Sequence, residues 1–398
     1  MATTVESPGP RLKAARREDE RVTPLELFFD LVFVLALTQC TTLMSHHPTW
    51  SGLAQGLLVL GVLWWSWTGY AWLTSVVDPE EGTVRLAMFA AMAAFLIVSL
   101  CVPEAFGNLG LAFALAYGVV RAAHIALFGI ASRGEPDLRR SVTGLAISTA
   151  IGVGLLIAAS FLNGLAQGGL WALALALDLA GPYFFGSGGW QLVPGHFAER
   201  HGLVIIIALG ESIVALGVGA QGALTVGIGT AAVLGVVLAA EMWWIYFDVV
   251  ALVSARRLER AEPGREQNEL ARDSYSYIHF LMVAGIVLVA FGLKKVLADV
   301  GEPLDTVPAF ALLGGVAFYL LGLVAFRWRH IRSLNRQRLL LALVMFALLP
   351  AAIALPPLVL LGIVTSLFAA MVLYETSSYG ETRSIIRHDP NALPPSGH

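Results

Sequence analysis

Of 398 residues, 57% are hydrophobic and only 13% are charged, against roughly 25% charged in an ordinary soluble domain. A mean hydropathy of +0.74 excludes a soluble globular enzyme, the net charge of −3 says little by itself, and the Arg-rich stretch 254–272 is interleaved with acids, unlike a nucleic-acid surface. The chain reads as an all-α integral membrane protein whose first partner is the lipid bilayer.

In chain order, residues 1–22 mix Arg11, Lys13, Arg16, Arg17 and Arg21 with Glu18, Asp19 and Glu20. They read as a disordered cytoplasmic tail, too long and polar for a cleaved signal peptide. Twelve apolar runs follow, at about 24–45, 51–74, 84–102, 108–131, 140–163, 168–186, 201–220, 226–252, 274–298, 307–328, 336–354 and 356–375. Each is long enough for a hydrocarbon core of about 30 Å. The last two are joined tightly, because Pro350, Pro356 and Pro357 leave little room. Residues 377–398, with Pro390 and Pro394-Pro395, read as a second disordered cytoplasmic tail. Cys40 and Cys101 lie in apolar runs and read as small hydrophobes, not as a disulfide framework.

Loop charges test this division independently. With both termini cytoplasmic, the inner loops hold Arg133, Arg139 and Arg140, then Arg256, Arg257, Arg260, Arg265 and Arg272, then Arg329, Arg332, Arg336 and Arg338. The outer connections near 46–50, 103–107, 163–167 and 220–226 hold no Lys or Arg. All basic residues except Arg121, Lys294 and Lys295 fall on the inner side or its border. This alternation follows the positive-inside rule and predicts an even number of spans.

The chain also reads as a duplication, with one six-helix half over 23–190 and another over 191–376. Glu26 before Leu31-Val32-Phe33-Val34 matches Glu199 before Val204-Ile205-Ile206-Ile207, and Trp64-Trp65 matches Trp243-Trp244. Six spans per half give two parallel repeats, an arrangement common in secondary transporters, with the site where the halves meet. The repeat is unequal in its acids, since Asp30 aligns with Leu203 and Thr38 with Glu211.

Thr23-Pro24-Leu25-Glu26-Leu27-Phe28-Phe29-Asp30-Leu31-Val32-Phe33-Val34 resembles the opening motif of the bacterial low temperature requirement A (LtrA) family. Phe197-Ala198-Glu199-Arg200-His201-Gly202-Leu203, continuing through Leu209-Gly210-Glu211-Ser212-Ile213, resembles its second signature. The resemblance covers about 20–376 and implies a multi-pass bacterial membrane protein of a family named for growth in the cold. It implies no biochemical activity, so mechanism has to come from the residues.

Ionisable groups inside the bilayer are costly and mark functional positions. Glu211 lies eleven residues beyond Arg200, roughly 16 Å along a helix and near the midplane. Asp178 lies at similar depth, ahead of Gly181-Pro182, which should break or kink its helix. Arg121 and His124 share a helical face in the fourth run, and Glu241 sits within the eighth. One arginine therefore faces up to three acids, and the surplus argues for proton or cation coupling. Glu26, Asp30, Glu199, Arg200 and His201 form a second set near the cytoplasmic ends of runs one and seven, suited to an inner gate. Helix-end stabilisation is the plainer role for Glu26 and Glu199.

Other signals are weak. His46-His47 has no nearby acid or thiol for a metal, and no zincin, phosphate-loop or nucleophile-elbow pattern occurs. No cofactor, metal or nucleic-acid partner is expected. Three classes stay open. The first is a non-enzymatic secondary transporter of an unknown small solute, with Glu211 carrying a proton or cation and Arg121 as its counter-ion or an anion ligand. The others are an intramembrane enzyme on a lipid-linked substrate and a non-catalytic sensor or scaffold.

Overall fold

The structure is a computed structural model that describes residues 21–184, 189–219, 224–389 and 391–393. Residues 1–20, Pro390 and 394–398, with Pro394-Pro395, lie outside these. The described residues are helical, with eleven helices long and apolar enough to cross a membrane.

The first six are α1 (Pro24–His46), α2 (Trp50–Val76), α3 (Gly82–Cys101), α4 (Gly110–Ala131), α5 (Pro136–Ala159) and α6 (Gly164–Phe184). The second set begins with α7 (Pro194–Gly219) and α8 (Val226–Phe247). Two short helices, α9 (Val250–Arg260) and α10 (Arg265–Ala271), then lead through a π-helical turn, Arg272–Ile278, into α11 (His279–Ala298). The chain continues with α12 (Thr306–Ile331), α13 (Arg336–Ala347), α14 (Leu349–Ala352), α15 (Pro357–Ser378) and α16 (Gly380–His388).

Local chemistry sets the starts. Thr23 caps α1 in a capping box with Glu26, and Pro24 fills the first turn, where a missing N–H costs nothing. Thr49 and Thr225 cap α2 and α8 with their hydroxyls.

Three expectations need correction. The apolar run 336–354 is not one helix. It breaks at Leu348, between α13, twelve residues long, and the four-residue α14, whose first turn holds Pro350, so each piece falls short of a 30 Å core by itself. Pro182 does not break α6, which runs on to Phe184 with Gly181 against Ser148. The segment after residue 376 is not a loose tail over its described part, because α16 is anchored there. Arg383 and Arg387 both pair with Asp248, at 3.0 and 2.9 Å, and Arg383 also reaches Glu375.

Packing follows the same neighbour order in both sets. In the first, α1 touches α2 and α3, and contacts continue α3–α4, α4–α5, α5–α6 and back from α6 to α2. In the second, α7 touches α8 and α11, followed by α11–α12, α12–α13, α13–α15 and α15–α8. The sets meet where α1 and α2 pack on α7 and α11. The matched tryptophan pairs differ in surroundings: Trp64 and Trp65 are buried, while Trp243 and Trp244 are exposed on the outside of α8. In the second set, α11 and α12 cross at bare glycines. A Cβ on Gly285 would stand 2.6 Å from Gly315 O, and one on Gly315 2.7 Å from Gly285 O. Such small-residue crossings let helix backbones approach closely in a membrane.

Candidate functional site

The seam between α1 and α7 carries two buried polar centres, one near the helix N-termini and one further along. At the first, Arg200 reaches across from α7 to both acids of α1. Its Nη1 donates to Glu26 Oε1 at 3.0 Å and to Thr74 Oγ1 at 3.2 Å, and its Nη2 donates to Asp30 Oδ1 at 2.7 Å. His196 Nε2 lies 2.9 Å from Glu26 Oε1, and Trp67 Nε1 donates to Asp30 Oδ1 at 2.9 Å. The Arg200 guanidinium lies 5.5 Å from the centre of the Trp67 ring. All these side chains are buried. Glu26 also accepts from Thr23 N, so one carboxylate both caps α1 and holds Arg200. Asp30 Oδ2 and Arg200 Nε have no hydrogen-bond partner among the described residues.

Of the five residues expected here, Glu26, Asp30 and Arg200 do meet. Glu199 does not join them; it is exposed and accepts from Val22 N. His201 is buried but packs among Trp64, Trp67, Tyr275 and His279 instead of pairing with the acids. His196 was not singled out in the sequence, although it lies four residues before Arg200 and so on the same helical face.

The second centre holds Glu211, about two-thirds of the way along α7 and fully buried. Its carboxyl sits between two hydroxyls of α1. Thr38 Oγ1 bonds Glu211 Oε2, and Thr41 Oγ1 bonds Glu211 Oε1 at 2.7 Å. Each hydroxyl has a second acceptor on its own helix: Val34 O lies 3.2 Å from Thr38 Oγ1, and Thr38 O lies 2.9 Å from Thr41 Oγ1. A hydroxyl has one proton to give. With both turned towards Glu211, an ionised carboxylate is satisfied. With one turned back to α1, that hydroxyl oxygen accepts the proton of a neutral carboxylic acid. The cradle therefore fits both protonation states. Lys294 of α11 is near enough for its charge to act on Glu211.

The third centre lies within the first set. Arg121 of α4 donates from Nη2 to Thr149 Oγ1 at 2.7 Å and faces Asp178 Oδ1 at 3.9 Å. Asp178 accepts weakly from Tyr117 and Thr149, both at 3.5 Å. His124 Nε2 lies 3.0 Å from Gly69 O. Arg121 is thus the partner of Asp178 and shares no contact with Glu211, which removes it as the Glu211 counter-ion. Glu241 joins none of the three centres; its Oε2 is buried without a hydrogen-bond partner among the described residues.

The expected surplus of acid changes in form. Arg200 is as deeply buried as Arg121, so these centres hold two guanidiniums against four carboxyls: Arg200 meets Glu26 and Asp30, Arg121 faces Asp178, and Glu211 meets neither. Carboxyl groups still outnumber guanidiniums. The excess is held by hydroxyls, a histidine and an indole, not by a third arginine.

A family model described as bacterial low temperature requirement A protein (LtrA) matches residues 21–373. The chain is also similar to a protein of Rhizobium meliloti (strain 1021) named as uncharacterized protein RA0937, 31% identical over 313 residues and covering 75% of each chain. No solved structure matches it.

Proposed function

The chain belongs to the bacterial low temperature requirement A family, and from that premise we propose that it is a proton-coupled secondary transporter of a small solute in the bacterial inner membrane. Glu211 is the coupling group. The observation that carries this reading is the Thr38–Thr41 cradle, which offers hydrogen bonds to either protonation state at the junction of the two helix sets. A buried acid used only as structural glue needs a fixed partner; one that loads and unloads a proton needs surroundings that tolerate both forms.

The second seam centre supports a division of labour. Asp30 lies eight residues before Thr38, so roughly 12 Å separates the two levels along α1. In the proposed orientation both termini and the arginine-rich loops face the cytoplasm, and Glu26, Asp30, Arg200 and His196 form the gate on that side. Parting α1 from α7 opens this gate and carries Thr38 and Thr41 away from Glu211. Proton release then accompanies a change in access.

The test is proton movement in proteoliposomes carrying a pH-sensitive dye, on adding candidate solutes, with wild type beside Glu211→Gln. The reading predicts solute-dependent proton flux that the variant lacks. A folded Glu211→Gln protein with unchanged transport removes the carrier role. Product formation from a labelled lipid, without vectorial flux, would favour an intramembrane enzyme.

A further inference from the structure

We infer that the cavity beside Arg121 is a binding site for a small organic monocarboxylate with an aromatic or bulky apolar body. The inference deepens the transport reading by giving the solute a chemical class, and it depends on that reading only for how the site is used. The cavity is small, about 70 Å³, and open on one side, so a guest there has to be small as well. Its walls come from both helix sets: α2, α4, α5 and α6 from the first, and α10 with the π-helical turn from the second. The π-turn is tied in directly, because Ser276 accepts the indole N–H of Trp64 on its carbonyl at 2.8 Å and that of Trp72 on its hydroxyl at 3.0 Å. Local π-helix is often found at functional sites.

Three features select the ligand. The first is unmet hydrogen-bonding capacity. Arg121 Nε, Trp65 Nε1 and Thr68 Oγ1 are buried, lack a hydrogen-bond partner among the described residues and belong to residues lining this one cavity. Each can donate, buried polar atoms are rarely left so, and three around one space point to a missing acceptor. The second is charge. The 3.9 Å gap to Asp178 leaves Arg121 loosely matched, and a planar carboxylate suits a guanidinium edge. Arg272 adds little further attraction, because Asp273 already holds it at 2.8 Å. One loosely matched guanidinium suits a single negative charge better than a phosphate dianion. The third is shape. Trp65, Trp72, Trp190, Phe128, Leu145 and Pro182 supply broad apolar walls, and indole faces suit a flat or bulky body.

Gly69 keeps the polar end open. A Cβ there would stand 2.8 Å from His124 Cε1 and 3.3 Å from Arg121 Nη1. A wider surface hollow shares Pro182, Trp190, Asn268 and Arg272 with the cavity as lining residues.

The experiment is calorimetric titration of the purified full chain in detergent with benzoate and 2-naphthoate, beside benzamide and phenyl phosphate. Binding is read at equilibrium and apart from flux, so its failure is distinct from a failure of transport. The expected result is saturable binding of the carboxylates at one site, with benzamide and phenyl phosphate at least about tenfold weaker. Arg121→Gln should weaken carboxylate binding at least about tenfold. Leu145→Trp, which fills the cavity without touching the charged groups, should abolish it; that variant decides the matter if Arg121→Gln does not fold. The inference is overturned if no carboxylate binds saturably, if benzamide or phenyl phosphate binds as well as benzoate, or if Leu145→Trp binds like wild type.

Discussion

Replacing Arg200 with glutamine tests the α1–α7 seam most severely. The guanidinium supplies charge-assisted bonds to Glu26 and Asp30 and a third bond to Thr74. Each charge-assisted bond contributes about 1.5–3 kcal/mol, so the two carboxylate bonds together set a scale of about 3–6 kcal/mol. Part of this is offset, because Glu26 keeps Thr23 and His196 and Asp30 keeps Trp67. The expected loss is about 3–5 kcal/mol, the usual cost of removing one partner from a buried ion pair. Most of it comes from stranding two acids, so it should be recoverable. Adding Glu26→Gln and Asp30→Asn removes the stranded charge, and glutamine can still complete the capping box. The triple variant should regain more than half of the lost stability in equilibrium unfolding in mixed micelles. A single variant that loses less than about 1 kcal/mol, or a triple variant as unstable as the single, would refute the reasoning.

Four further outcomes follow from the geometry. Thr38→Val with Thr41→Val removes both hydroxyls from Glu211; at about 1–3 kcal/mol for each stranded bond, the same unfolding assay should register a loss and proteoliposome proton flux should fall. Gly285→Leu drives a side chain into the Gly315 backbone and should destabilise the α11–α12 crossing by about 1–3 kcal/mol or more; an unchanged unfolding midpoint would contradict the close approach. Glu375→Gln weakens the two bonds from Arg338, both 2.9 Å, and the one from Arg383, so amides of α16 should exchange with solvent roughly tenfold faster or more. Asp299 accepts backbone N–H bonds from Gly301 and Glu302, which hold its carboxyl below its ordinary value of 3.8. Its contribution to stability is complete above that value and is lost as pH falls through the lower folded one; Asp299→Ala should flatten the acid limb of the unfolding curve there.

Most of the fold was legible because bilayer thickness and loop charge act on every span alike. The broken α13–α14 pair was not, since a proline's effect depends on where in the helix it falls, and Pro350 and Pro182 look equivalent in sequence. At the site, the offset that pairs Thr38 with Glu211 places the two residues at equivalent levels of α1 and α7, and their side chains touch. Burial of single charges was also legible, whereas the choice of partner was not. Arg121 meets Asp178 and not Glu211 because helix neighbours, unlike helix depths, leave no mark in hydropathy. The donors that replace arginine around the surplus acids, Thr41, Trp67 and His196, look ordinary in a chain of apolar helices. The π-helical turn at 272–278 gave no sequence signal, because its extra residue is absorbed within a continuous helical pattern.

The central claim is that Glu211 changes protonation at the junction of the two helix sets. The most direct measurement is infrared difference spectroscopy of the protein in lipid across a pH titration, following the carbonyl stretch of protonated carboxylic acid. The account predicts a titrating band that disappears in Glu211→Gln and shifts in Thr38→Val, where a hydrogen-bond partner is lost. A band that persists unchanged in Glu211→Gln, or a Glu211 signal that stays constant at every pH at which the protein is folded, would contradict it.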